Sequence, residues 1–148
     1  MKNKQIIAAA LIALSFAACK KDDTTTTTPP TTGGGTTTTG FTWKEDGGSE
    51  NKADSAFWTS YTGGAGVRAY KGGMSNFFEI NFANSSVGSM SLNTGLTFIK
   101  GNSTMTSKTG TVNITSNTSD KLTGNGSATL SGGSIAAVTF TFTDLAKR

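Results

Sequence analysis

The sequence predicts an all-β fold, a small antiparallel sandwich or barrel behind a disordered Thr/Pro/Gly linker, and three observations carry that expectation. The first is alternation. Phe78, Ile80 and Phe82 fall on one strand face and Phe77, Glu79 and Asn81 on the other; Val112 and Ile114 alternate with Thr111, Asn113 and Thr115; Val138, Phe140 and Phe142 alternate with Thr139, Thr141 and Thr143. A period of two is that of a half-buried strand. The second is the punctuation between these runs, with turn signals at Gly47-Gly48, Gly63-Gly64, Gly72-Gly73, Asn93-Thr94-Gly95, Gly101-Asn102 and Gly132-Gly133. Strands at such spacing fit a sandwich or barrel. The third is Thr24–Gly40, which contains only threonine, proline and glycine and holds nothing that a core could bury.

Taken from the start of the chain, Lys2 and Lys4 precede an apolar stretch, Ile6–Ala18, that ends in two alanines before Cys19. That is the charged, apolar, small-residue order of a cleaved export signal, expected over 1–18. The stretch falls short of the roughly 20 residues a spanning helix needs. The segment Ser15-Phe16-Ala17-Ala18-Cys19 resembles the lipobox of bacterial lipoproteins, with Phe16 where that family more often has an aliphatic residue. The resemblance implies that Cys19, the only cysteine, receives a diacylglyceryl group. Several acyl chains on one residue give stable anchoring, so a membrane, held through the lipid on Cys19, is an expected partner. The following Lys20-Lys21-Asp22-Asp23 resembles the charged export tag of surface lipoproteins of the Bacteroidota. It implies an outer-membrane location facing the cell exterior; a solvated charge cluster is the plainer reading of the same residues.

Residues 19–40 are then a lipidated N-terminus and a tether. Thr24–Gly40 would reach about 60 Å fully extended, enough to lift a domain clear of a lipid surface. Asp23-Thr24-Thr25 and Asp54-Ser55-Ala56 resemble the acceptor motif of Bacteroidota O-glycosylation.

Residues 41–148 suffice for one small domain with a single core. Within them nine basic side chains stand against seven acidic ones, scattered along the chain, which argues against nucleic-acid binding. One helical turn is expected at Ser49–Phe57, with Ser49 as its cap and Ala53 and Phe57 facing inward. The expected core comprises Phe41, Trp43, Phe57, Val67, Phe78, Ile80, Phe82, Leu92, Leu96, Phe98, Val112, Ile114, Leu122, Leu130, Val138, Phe140 and Phe142. Burying each contributes about 1.5 to 3 kcal/mol.

The stretches Phe41–Gly47, Val87–Leu92, Thr109–Thr115, Leu122–Leu130 and Val138–Asp144 together resemble small uncharacterised Bacteroidota surface lipoproteins with a single β-domain of unknown function. Those stretches are mostly strand patterning and turn glycines. The resemblance therefore implies a fold and brings no catalytic residues with it.

The chain has no histidine. That removes Ser-His-Asp and Cys-His catalysis, histidine zinc sites and imidazole acid-base work. Ser49-x-x-Lys52, Ser91-x-Asn93 and Lys108-Thr-Gly110 reproduce in order the short elements of penicillin-binding proteins and serine β-lactamases. A chain so rich in serine, threonine and glycine produces such matches by chance, and the domain is too small for that fold. Glu45, Asp46, Glu50 and Asp54, with Glu79, are the carboxylates a hydrolase would draw on. The first four could also offer oxygens to calcium, though without the spacing of a calcium loop. No catalytic residue, metal or cofactor is assigned.

What remains is binding. Trp58, Tyr61 and Tyr70, with Trp43 as a poorer fourth, are the candidate rings for stacking on sugar faces, the plainer alternative being that they pack the interior. On a strand, Phe57 and Tyr61 share a face that Trp58 does not. The sequence thus points to a non-catalytic binding module on the cell envelope, with a glycan or an envelope protein as its partner. A structural or adhesive surface protein without a small ligand is the alternative, and a carboxylate-based hydrolase a distant third.

Overall fold

The computed structural model describes residues 40–148. Cys19, the signal, the tether and the Asp23-Thr24 motif lie outside the described residues. The strands are β1 (Gly40–Glu45), β2 (Glu50–Lys52), β3 (Ser55–Tyr61), β4 (Gly64–Lys71), β5 (Asn76–Phe82), β6 (Gly88–Ser91), β7 (Leu96–Lys100), β8 (Ser103–Asn117), β9 (Lys121–Ser131) and β10 (Ala137–Ala146). They form one antiparallel sheet in the order β2-β1-β10-β9-β8-β7-β5-β4-β3, with β6 pairing β8 off that path. The sheet curls into a half-barrel. Its two ends approach where Trp58 of β3 makes a single parallel bridge with Lys147, and the Arg148 amide donates to the Trp58 carbonyl at 2.9 Å.

The expected helical turn at Ser49–Phe57 is not formed; β2 and the start of β3 occupy it. The segment is claimed by ladder bonds on both sides, since Asn51 pairs with Trp43 and Phe57 with Arg68. Backbone groups satisfied by neighbouring strands leave a single capped turn nothing to add. The turn between β1 and β2 has Asp46 and Gly47 both at positive φ, 47° and 74°, which suits a primed hairpin turn. Asp46 Oδ1 accepts the amides of Ala136 and Ala137 at 3.0 and 2.8 Å, locking this turn to the start of β10.

One face of the curl is the core. Every expected core residue is buried except Phe57. Phe57 lies half-buried on the outer face, because alternation along β3 sends Trp58 inward instead. Rings fill the centre, with Phe78 and Phe98 stacked at 4.1 Å and Phe41 5.2 Å from Phe78. The curl itself depends on absent side chains. Gly124 and Gly126 face inward on β9, where the rings of Phe142 and Phe140 occupy the space a Cβ would need. Small residues under large rings let β9 and β10 bend sharply over the core.

Candidate functional site

The site arises where one strand is broken. β6 and β7 both run antiparallel to β8, β6 pairing with Thr111–Ile114 and β7 with Ser103–Thr106, so they follow one another along the same edge. Between them Leu92–Gly95 leaves the ladder as a turn closed by the Gly95 amide on the Leu92 carbonyl at 3.0 Å. The register of β8 against β9 shifts at the same level, between Ser107 and Thr109, which marks a bulge.

Ser107 holds that turn in place. It is the one buried polar side chain among the described core residues. Its hydroxyl donates to the Leu92 carbonyl at 2.6 Å and accepts the Leu96 amide at 3.1 Å. The Leu92 amide donates to Gly110, and the Asn81 amide donates to the Gly95 carbonyl at 2.6 Å. Gly95 lies so close to the Asn81 carbonyl that no side chain fits there. Beyond this point β5 and β6 are not paired with each other.

The gap between them is a shallow, open cleft of about 390 Å³, lined by Tyr61, Gly63, Asn81–Ala83 and Ser91–Gly95. None of the lining side chains is charged. Tyr61 is half exposed, at 50 %. Its ring lies across Gly64, with ring carbons 2.7 and 2.9 Å from where a glycine Cβ would stand. Its hydroxyl is 3.3 Å from both the Ala65 carbonyl and Asn81 Oδ1. The ring is thus packed against the Gly64 backbone on part of its surface and open to solvent on the rest. Ser91 donates to Asn93 Oδ1 at 2.8 Å. Asn81 and Asn93 therefore use their side-chain oxygens within the protein, and their amide NH₂ groups remain to donate outward.

Of the four candidate rings, only Tyr61 reaches the cleft. Trp58 is 2 % exposed, with the Lys147 ammonium 5.0 Å from its ring centroid. Trp43 is equally buried and donates its Nε1–H to Glu45 Oε1 at 3.0 Å. These two are core residues rather than binding rings, since each sits at an inward position of its strand. Tyr70 is half-buried on the outer face of β4, beside Phe77 at 5.0 Å and Phe57 at 6.2 Å. A second groove of about 210 Å³ follows the outside of β2, β1 and β10, but its aromatic residues, Trp43 and Phe140, face the core.

The four loop carboxylates do not converge on a calcium site. Glu45 pairs with Lys100, Asp46 caps β10, Asp54 accepts the Gly72 amide at 2.7 Å, and Glu50 is exposed on β2. Among the described residues no group of three or more His, Cys, Asp or Glu could hold a metal. Glu79 pairs with Arg68 at 2.7 Å. The hydrogen bonds that Arg68 donates to Glu79, and then the Glu79 charge, raise the Arg68 pKa above its ordinary value. Of the three β-lactamase-like elements, Ser91-x-Asn93 and Lys108-Thr-Gly110 adjoin, with Ser91 paired to Thr111 and the Leu92 amide on the Gly110 carbonyl, but Ser49-x-x-Lys52 lies at β2, four strands from β8 in the sheet order. Ser55, the second glycosylation candidate, is exposed at the start of β3.

The turn at Asn93-Thr94-Gly95 is legible in the sequence, and Ser91 only as part of the Ser91-x-Asn93 match, whereas Asn81 and the latch of Ser107 are not. Their one sequence signal is a polar residue at an inward position, Ser107, in a strand that otherwise alternates. No protein family, curated protein or solved structure matches the chain.

Proposed function

We propose that this protein is a lipid-anchored, non-catalytic binding module of the bacterial outer membrane that takes a neutral glycan in the cleft beside Tyr61. The observation that carries the reading is the half-exposed Tyr61 ring packed against Gly64 beside an open, uncharged cleft. Sugars present C–H faces that pack on an aromatic ring and hydroxyls that pair with amides and hydroxyls. A half-exposed ring next to two outward amide groups answers both needs. The lack of charge favours a neutral sugar over an acidic one. In favour of a non-catalytic role, the Ser91 hydroxyl is directed at an amide oxygen rather than a base. Anchoring through Cys19 and exposure at the cell surface rest on the lipobox and the charged residues after it.

A panel of neutral glycans tested by thermal shift checks the binding. A glycan that binds only the folded state at a hundredfold excess over Kd adds about 2.7 kcal/mol, moving the midpoint by more than about 5 °C in a domain of this size. The shift should vanish in Tyr61→Ala. No shift with any neutral glycan, or one that survives Tyr61→Ala, would sink the reading. For the anchor, labelled palmitate should be incorporated by the wild type and not by Cys19→Ser.

A further inference from the structure

We infer that the cleft is one end of a longer track, and that its occupant is an extended oligosaccharide several rings long, laid along the outer face of β4 from Tyr61 to Tyr70. This inference rests on the glycan reading. Alternation makes Gly64, Gly66, Arg68 and Tyr70 the successive outward positions of β4. Gly64 lies under the Tyr61 ring. Gly66 leaves a low floor, into which the Asn81 side chain leans, its Oδ1 2.9 Å from where a Cβ would stand. Arg68 follows, exposed and paired with Glu79 of β5, so the two present donors and acceptors with no net charge. Tyr70 closes the row, half-buried between the largely buried Phe77 and Phe57, over whose ring the Arg148 guanidinium lies 4.6 Å from the centroid.

Tyr61 is paired with Gly64, and Ser55 with Tyr70. The two ends are therefore six residues apart along β3, about 20 Å at strand rise. A single sugar cannot touch both tyrosines; a chain of them can. Along this row a sugar chain would meet a ring, a low polar floor, a donor–acceptor pair and then a second ring. On the opposite flank the outward positions of β8–β10 repeat hydroxyls and carry no comparable row of rings.

The test is calorimetric titration of the full chain with xylo-, cello- and malto-oligosaccharides of one to six units. Affinity in one series should rise with chain length and then level off. Tyr70→Ala should weaken the longest member at least tenfold and leave the disaccharide unchanged, whereas Tyr61→Ala should weaken both. Because Tyr70→Ala could disturb the outer patch, Thr59→Arg gives a second arm. Thr59 is paired with Gly66, midway along the track, and the larger side chain should block long chains only. Affinity that is independent of length, lost with Tyr61→Ala and indifferent to Tyr70→Ala and Thr59→Arg, would overturn the track and keep the cleft. Absence of binding at any length would overturn both.

Discussion

On β8, β9 and β10 the outward positions include Thr109, Thr111, Ser127, Thr129, Thr139 and Thr141, all exposed, whereas on β3, β4 and β5 they carry Phe57, Tyr61, Tyr70, Phe77 and the Arg68–Glu79 pair. The inward faces of the two flanks follow the same rule and build the same core. Their outer faces are free of that rule, so the difference between them reports on something other than folding. The two flanks also differ in strand length. The long strands with inward glycines curl tightly, while β6 and β7 are short pieces of one interrupted edge, and the cleft beside Tyr61 sits at the interruption. Features suited to binding gather where the regular pattern stops.

The largest expected effect tests the tight flank. Phe142 is fully buried, and Phe142→Ala should lower unfolding free energy by about 3–5 kcal/mol in a denaturant titration. Gly126→Val should be costly for the converse reason, since the Phe140 ring and the Thr111 carbonyl already fill its space. Overpacking of this kind costs about 1–3 kcal/mol or more. A Gly126→Val protein as stable as wild type would mean that the curl does not depend on that close approach.

Ser107→Ala sits between the flanks and sharpens the comparison. It leaves the Leu92 carbonyl and the Leu96 amide without the partner they share, at about 1–3 kcal/mol. It should also loosen the Leu92–Gly95 turn, so that glycan affinity falls along with stability. A loss of stability with unchanged affinity would show that the cleft does not need the latch.

The smallest effect belongs to the outer face. Arg68 and Glu79 are an exposed pair, and replacing Glu79 by Gln should change stability by no more than about 1 kcal/mol. The difference should shrink further when the titration is repeated in high salt. A larger, salt-resistant loss would make the pair part of the fold rather than of the outer surface.

Much of the fold was legible because burial on one side of a strand writes itself into every second residue. Phe78, Ile80 and Phe82 could be placed without any knowledge of their partners. The helical turn expected at Ser49–Phe57 gives way to strand because a three-residue strand such as β2 is too short for alternation to register. Phe57 and Trp58 are adjacent rings, and which of the two faces inward depends on the pairing of β3 with β4. Of the site, the Leu92–Gly95 turn and Tyr61 were visible as a turn signal and a candidate ring. Asn81 has the look of an ordinary strand residue and Ser91 stands out only in the chance Ser-x-Asn match, and only the pairing of distant strands places them at one cleft.

The sequence by itself determined the class of fold, the single core, and the absence of histidine and cysteine from the domain, because each of these is written in composition or in local spacing. Tertiary structure alone decided that the sheet curls as one half-barrel, that Trp43 and Trp58 are core while Tyr61 is not, that the loop acids disperse, and that a cleft opens between β5 and β6. Those outcomes depend on which distant strands exchange hydrogen bonds, and strand pairing is a relation between residues far apart in the chain that no local pattern encodes.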